Sequence, residues 1–384
     1  METLANTTEV TLAKGIDAAA LERELNAMWA EMSAPEGGEQ ESGVARACVL
    51  NLVVYAGGRG ERAVVDELLG AVVERHPCRA IVLAAEREEA EARLEAFVST
   101  RCQLSNRGAK RICGEQITIE AAGGAVDTAS TAVAPLLVPD VPVFLWWKDI
   151  PHYDDKLFTR LAGMADRVVI DSASFNRPHD DLLSLAGLLE AGRLRLSDIN
   201  WGRLTSWRSL VAGFWDVADY RESLTGIVRV YIEYDPPDRA HEQTAPKALL
   251  ALGWIASRLG WEVVEGGASL SDGRARFLLR DGGREVEAVV TATDDVGGRD
   301  GLVTSLTLTT AAGDEFYVRL RMEEGKLETG ARLKGADHNV GRVLAFEARS
   351  EGERLSCELD ILTRDDVYEM AVASAAGMLR AASA

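Results

Sequence analysis

ACVLNLVVYAGGRGERAVVDELLGAVVERHPCRAIVLAAE, residues 47–86, decides the fold. ACVLNLVVY is a continuous apolar run, the signature of a strand buried on both faces. RAVVDELLGAVVERH repeats its apolar residues at helical spacing, and RAIVLAAE is a second apolar strand. Strand, helix, strand in this order predicts an α/β sheet covered on both faces.

Upstream, IDAAALERELNAMWAEM places Leu21, Leu25, Met28, Trp29 and Met32 at helical spacing, with Asp17 as N-cap. SAPEGGEQESG then reads as an acidic flexible linker, so residues 1–40 form a helical arm and linker, free to pack on their own domain or on a partner. Downstream the alternation continues. EEAEARLEAFVS reads as a helix, ICGEQITIEAAG as a strand and residues 128–137 as a small-residue helix. VPVFLWW and ADRVVIDSA are strands on either side of a helix at DDKLFTRLAGM. DDLLSLAGLLEAG and WGRLTSWRSLVAGFWD close the block as helices. Residues 41–222 are therefore expected to be an α/β domain with a mostly parallel sheet and helices on both faces.

Beyond it the pattern changes. GIVRVYIEY is a strand, and APKALLALGWIASRLGW is a helix stopped by Gly260. RARFLLR, REVEAVVTA, LVTSLTLTT, EFYVRLRM and RLSCELDIL read as strands between glycine turns, and YEMAVASAAGMLRAA as a last helix. Residues 223–384 are expected to form an α+β domain.

The formal charge of −19 over 384 residues argues against nucleic acid or an anionic membrane as partner. The longest apolar run, ALLALGWIA, is far short of the roughly 20 residues that a membrane helix needs. The start METLANTTEV lacks the pattern of a secretory signal. Five cysteines, Cys48, Cys78, Cys102, Cys113 and Cys357, include no C-x-x-C pair. A cytoplasmic protein is the expectation.

GRGERA, which starts at Gly58 and closes at Ala63, matches G-x-G-x-x-A between a strand and a helix, with Glu86 ending the next strand. That is the shape of a dinucleotide loop, in which a pyrophosphate sits at a helix N-terminus. Glu61 in the same loop would repel that anion, and glycine turns between strand and helix are common. His76, His152, His179, His241 and His338 form no metal-binding pair, and neither a G-x-S-x-G elbow nor a P-loop occurs. Asp166 and Asp171 bracket a strand, where caps and arginine pairs are the commoner use. No catalytic, cofactor or metal residue is therefore assigned, and no cofactor is expected.

Two aromatic clusters remain. Trp146 and Trp147 end a strand and are followed by Lys148 and Asp149; neighbours on a strand face opposite ways, so one is expected in the core. Trp147, nearer the strand end, is the expected partner anchor. Trp201, Arg203, Trp207, Arg208 and Trp215 form the second cluster, with Trp207, Leu210, Val211 and Phe214 as its core face. Trp146, Trp147, Lys148, Asp149, Trp201, Arg203 and Arg208 are the candidates for partner binding, because Trp and Arg dominate binding hot spots.

At these clusters the sequence resembles the OpcA proteins, assembly factors or allosteric activators of glucose-6-phosphate dehydrogenase in cyanobacteria and actinobacteria. The resemblance is carried by ELNAMWAEM, RACVLNLVVY, ERHPCRAIVL, GEQITIEAAG, PLLVPDVPVFLWWKD, ADRVVIDSASF, DINWGRLTSWRSLVAGFWD and ALLALGWIASRLGW, between about residues 10 and 265. It implies a non-catalytic regulator that binds the dehydrogenase, promotes its active oligomer and raises NADPH output in the oxidative pentose phosphate pathway. The alternative is a Rossmann-like enzyme or sensor that binds a nucleotide or sugar phosphate through the turn at Gly58. Cyanobacterial members are associated with thioredoxin, which makes thioredoxin a second candidate partner. Cys102 and Cys113, flanked by Arg101, Arg107, Lys110 and Arg111, are the candidate redox pair, since nearby cations favour a thiolate.

Overall fold

The computed structural model describes residues 7–8, 16–32, 44–57, 59–104, 111–236, 242–294, 301–334, 341–346 and 349–383. The expected linker, Gly58, Arg107, Lys110, Pro237, His241 and His338 lie outside them. The chain runs β1 (Thr7–Thr8), α1 (Ala18–Met32), β2 (Val44–Arg46), β3 (Leu50–Gly57), α2 (Arg59–Arg75), β4 (Cys78–Glu86), β5 (Arg93–Leu104) and β6 (Arg111–Ala122). It continues through α3 (Ser130–Val133), β7 (Val143–Trp147), α4 (Lys156–Ala162), β8 (Arg167–Ile170), α5 (Pro178–Glu190), β9 (Leu196–Asp198), α6 (Ile199–Gly202), α7 (Thr205–Ala212) and α8 (Arg221–Leu224). Then follow β10 (Ile227–Tyr234), α9 (Pro246–Leu259), β11 (Glu262–Ser271), β12 (Arg274–Asp281), β13 (Arg284–Ala292) and β14 (Val303–Thr310). The last elements are β15 (Glu315–Arg321), β16 (Lys326–Arg332), β17 (Val343–Ala345), α10 (Glu351–Leu359) and α11 (Asp366–Ser383).

Two compact units result. The first comprises Met1–Ile170, Gly192–Ser197 and Ser350–Arg364; the second comprises Asp171–Ala191, Asp198–Arg349 and Asp365–Ala384. The division expected at residue 222 falls inside the second unit. The helices after β8 explain this, because α5 and α6 pack against α9, and α7 against β15.

The first unit holds a sheet in the order β1-β5-β6-β4-β3-β7-β8-β9, with β2 also on β6. β3 pairs in parallel with β4 and β7, β4 with β6, β7 with β8 and β2 with β6; β5 and β1 run antiparallel. The mostly parallel α/β sheet is as the sequence predicts. Every residue from Leu50 to Ala56 is buried, so both faces of β3 are covered. α1 is docked on its own unit: Leu21 and Leu25 are fully buried, and Trp29 Nε1 donates to Glu115 Oε1 at 2.8 Å. Buried Arg79 joins Glu115, at 2.6 Å, to Glu22 of α1. Asp17 caps the helix as expected, accepting from Ala19 N at 3.0 Å and Ala20 N at 3.2 Å.

Two elements differ from the sequence expectation. EEAEARLEAFVS is not a helix; most of it is β5, antiparallel to β6 along its whole length. RLSCELDIL is not a strand but the body of α10, opened by a Ser350–Glu353 capping box.

The second unit is an eight-stranded sheet in the order β11-β12-β13-β10-β14-β15-β16-β17, antiparallel except for β10 on β13. Ala275, Phe277, Val290, Ile232, Leu306 and Phe316 are buried on one face, and Arg229, Arg276 and Arg319 stand exposed on the other. α9 and α11 pack so closely that a Cβ on Gly253 would overlap the Ala371 carbonyl. Gly260 ends α9 in the left-handed conformation, φ 68°, as the helix stop requires.

Candidate functional site

In open α/β sheets, ligands bind beyond the carboxyl ends of the parallel strands. Here those ends are packed with the chain's own side chains. Trp147 stacks on Tyr55 with ring centroids 3.9 Å apart and planes at 13°, and Phe158 of α4 meets it edge-on at 5.1 Å. Arg87, following β4, donates to Asp155 Oδ2 at 2.7 Å and to the Tyr55 hydroxyl at 3.4 Å. Asp155 in turn caps α4 through Leu157 N and Phe158 N. Trp146 faces the other way, and the Lys148 ammonium lies 4.5 Å from its ring centroid and 3.3 Å from Glu351 Oε1.

This corrects one expectation. Trp146 and Trp147 are both 1% exposed, so neither presents a ring to a partner in this conformation. The cause is that helices and loops cover both faces right to the end of β7. Lys148 is largely buried and committed to Glu351; Asp149 is exposed.

At the start of α2, Glu61 takes a backbone hydrogen bond from Gly57, and burial raises its pKa, countered by Lys148 and by that bond. A pyrophosphate at this helix end would meet the carboxylate of Glu61 as well as the backbone N–H groups. Glu86 does end β4, as expected of a dinucleotide fold, and is largely buried beside Arg93 at 4.0 Å.

The second cluster lies in the second unit around a carboxylate that the sequence reading passed over. Asp198, fully buried, accepts from Ser172 N at 3.0 Å, Ser172 Oγ at 2.6 Å, Asn200 N at 2.9 Å and the Tyr368 hydroxyl at 3.4 Å. Burial, with Asp171 nearby, pushes its pKa up to about 6 against the opposing hydrogen bonds. The signal was present as an Asp directly before the INWG turn that it caps. Asp171 receives both Arg203 Nη atoms, at 2.6 and 2.7 Å, and caps the following turn, the structural use expected of it. Arg208 lies over the Trp201 ring at 3.6 Å, and Trp201 Nε1 donates to Asp365 Oδ2 at 3.0 Å. Trp201 and Trp207 are each 3% exposed and belong to the core, whereas Trp215 is half-buried.

The remaining singled-out residues have structural partners. His76 Nε2 lies 2.9 Å from the Ser356 carbonyl, and Thr244 N donates to His179 Nε2 at 3.0 Å. Asp166 accepts from Val143 N at 2.9 Å. Cys113 is disulfide-bonded, and Cys102 stands opposite it in the β5–β6 ladder. Cys48, Cys78 and Cys357 are thiols outside any disulfide, and burial pushes the Cys78 thiol up to about 12. Among the described residues no group of three or more His, Cys, Asp or Glu could hold a metal, and no helix is long and apolar enough to cross a membrane.

Residues 69–187 match the family model of the glucose-6-phosphate dehydrogenase subunit N-terminal domain, and residues 194–372 match that of its C-terminal domain. The chain belongs to the OpcA family. Membership extends past the stretches that carry the resemblance in sequence, through most of the second unit. An OpcA of Nostoc punctiforme, provisionally named an OxPP cycle protein, is 37% identical over 255 residues, covering 65% of this chain and 52% of that protein. Its namesake in Synechocystis is 33% identical over 194 residues, covering 50% of this chain and 39% of the relative. The chain thus spans about half or less of these OpcA relatives. Levoglucosan dehydrogenase, in complex with NADH and L-sorbose, superposes at TM-score 0.49 with 12% identity, over 88% of this chain and 97% of that one. A likeness of that order says nothing about chemistry in this OpcA chain.

Proposed function

We propose that this protein is a non-catalytic regulator that binds glucose-6-phosphate dehydrogenase, favours its active oligomeric state and raises NADPH production in the oxidative pentose phosphate pathway. The observation that carries this reading is the pair of family models, both described as parts of a glucose-6-phosphate dehydrogenase subunit and together covering most of the chain. The strand ends support it, because the crevice where a doubly wound enzyme takes its substrate is filled by Tyr55, Trp147 and the Arg87–Asp155 pair. The mechanism is a shift of a pre-existing equilibrium, which requires tighter binding to the active state than to the inactive one. Arg203 and Arg208 are the contact residues proposed, since the neighbouring tryptophans are committed to the core.

The test is the dehydrogenase assayed with and without this protein across a glucose 6-phosphate titration. The expected result is a lower apparent KM or a higher kcat, with no dehydrogenase activity from this chain alone. Superimposable saturation curves at micromolar protein would sink the proposal. Running the assay on oxidised and reduced protein extends it to thioredoxin, for which the disulfide at Cys113 is the bond to reduce. Equal activation by both forms would remove thioredoxin from the scheme.

A further inference from the structure

The edge of the second sheet holds a cleft lined by arginine and serine side chains. β11 and β12 form a hairpin closed by Asp272 and Gly273, with Gly273 at φ 61°. The register sets Ser269 opposite Arg276 and Ser271 opposite Arg274. Alternation therefore puts both serines and both arginines on one face, opposite the buried Ala275 and Phe277. A register shift in β11 between Val263 and Ala268, with Gly266 at φ 70°, bends this edge strand beside them. Between β11, β12 and β13 lies a cleft of ≈ 400 Å³ lined by Ser269, Ser271, Arg274, Arg276 and Glu287.

The charges are arranged to leave a surplus. Glu287 accepts from Arg276 Nε at 2.8 Å and from Arg229 Nε and Nη2 at 2.8 and 2.6 Å, so one carboxylate holds two guanidinium groups in place. Arg274 makes no side-chain hydrogen bond or ion pair among the described residues, and neither does the Ser269 hydroxyl. Two arginines against one glutamate leave the lining with a net positive charge, on a chain whose net charge is −19.

The geometry points to a binding site for a small phosphate monoester, its dianion held by Arg274, Arg276 and the two serine hydroxyls. Guanidinium forks match phosphate oxygens in pairs, and an anion offsets the positive charge of the lining. The volume suits a metabolite rather than a folded segment. The lining has no aromatic wall on which a nucleobase could stack, which favours a sugar phosphate over a nucleotide. Strands on both sides fix the donors more firmly than a loop would.

The inference stands apart from the partner reading, because its test needs this chain alone. Calorimetric titrations of the full chain would use inorganic phosphate, ribose 5-phosphate and ribose. Phosphate and ribose 5-phosphate should each bind saturably at one site, in the millimolar range or tighter, and ribose should not bind. Added salt should weaken both anions. Arg274→Gln removes a side chain without a partner among the described residues, so it should leave the melting temperature unchanged and weaken both by about tenfold or more. Ser269→Ala should weaken them by a smaller factor. Absence of saturable binding, binding unchanged in Arg274→Gln, or refusal of ribose 5-phosphate while phosphate binds would overturn the assignment.

Discussion

Asp198 is the residue whose environment departs furthest from water. It is fully buried, it accepts four hydrogen bonds, and its pKa rises from 3.8 to about 6 because burial disfavours the ionised form. The folded value lies above the unfolded one, so the fold prefers the neutral carboxyl. Its contribution to stability is fully present below pH 3.8 and is lost as pH rises through 6. A shift of this size corresponds to roughly 3 kcal/mol. Asp198→Asn keeps the shape and removes the titration; the Ser172 and Tyr368 hydroxyls can turn to accept from the new amide. Denaturant unfolding of both proteins across this window should show the wild type losing roughly 3 kcal/mol relative to the variant as pH rises. The difference between the two proteins is what counts, because it cancels the other carboxylates. A difference that stays constant with pH would mean that Asp198 is ionised in the fold throughout.

At the scale of elements, legibility followed how local the deciding force was. β3, α2 and β4 could be read directly because a strand buried on both faces is apolar at every position, and β3 is buried from Leu50 to Ala56. β5 was misread because Glu, Ala, Arg and Leu favour a helix on intrinsic propensity. The burial of Ala96, Val98 and Thr100 between less buried neighbours has a period of two, and pairing with β6 overrode the propensity. α10 was misread in the opposite sense. Its Gly352, Leu355, Ser356 and Leu359 are buried at helical spacing, and Ser350 with Glu353 is a capping box visible in sequence. The aromatic clusters were legible as clusters, but not as core. Whether Trp147 meets solvent depends on Tyr55 and Phe158, distant in sequence, and spacing carries no information about such contacts. The cleft at Arg274 went unread for a similar reason: β11, which supplies its serines, has no alternating pattern and a displaced register.

At the scale of the whole molecule, the chain passes between its two units at Ile170, Ala191, Ser197, Arg349 and Arg364, so neither unit is a continuous segment. α10 belongs to the first unit: Gly352 packs on Leu68 and Ala71 of α2, Glu351 pairs with Lys148, and Leu355 is fully buried. α11 belongs to the second, where Tyr368, Val372, Met378 and Leu379 are each at most 2% exposed. At about 1.5–3 kcal/mol for each buried apolar side chain, those four contribute roughly 6–12 kcal/mol, the size of a whole domain's stability. Two truncations separate the contributions. A chain ending at Arg364 keeps α10 and loses α11; its second unit should unfold while its first stays protected. A chain ending at Arg349 loses both helices, so its first unit should weaken as well, through loss of Leu355 and Leu359 from the face of α2. Hydrogen exchange followed by mass spectrometry reads each unit separately: peptides from β12 to β14 should lose protection in both fragments, and peptides from α2 only in the shorter one. A simple division at residue 222 predicts instead that neither cut touches α2. Equal protection of α2 in both fragments would establish that α10 adds nothing to the first unit's stability, and the division read from the sequence would then describe the folding units better than the packing does.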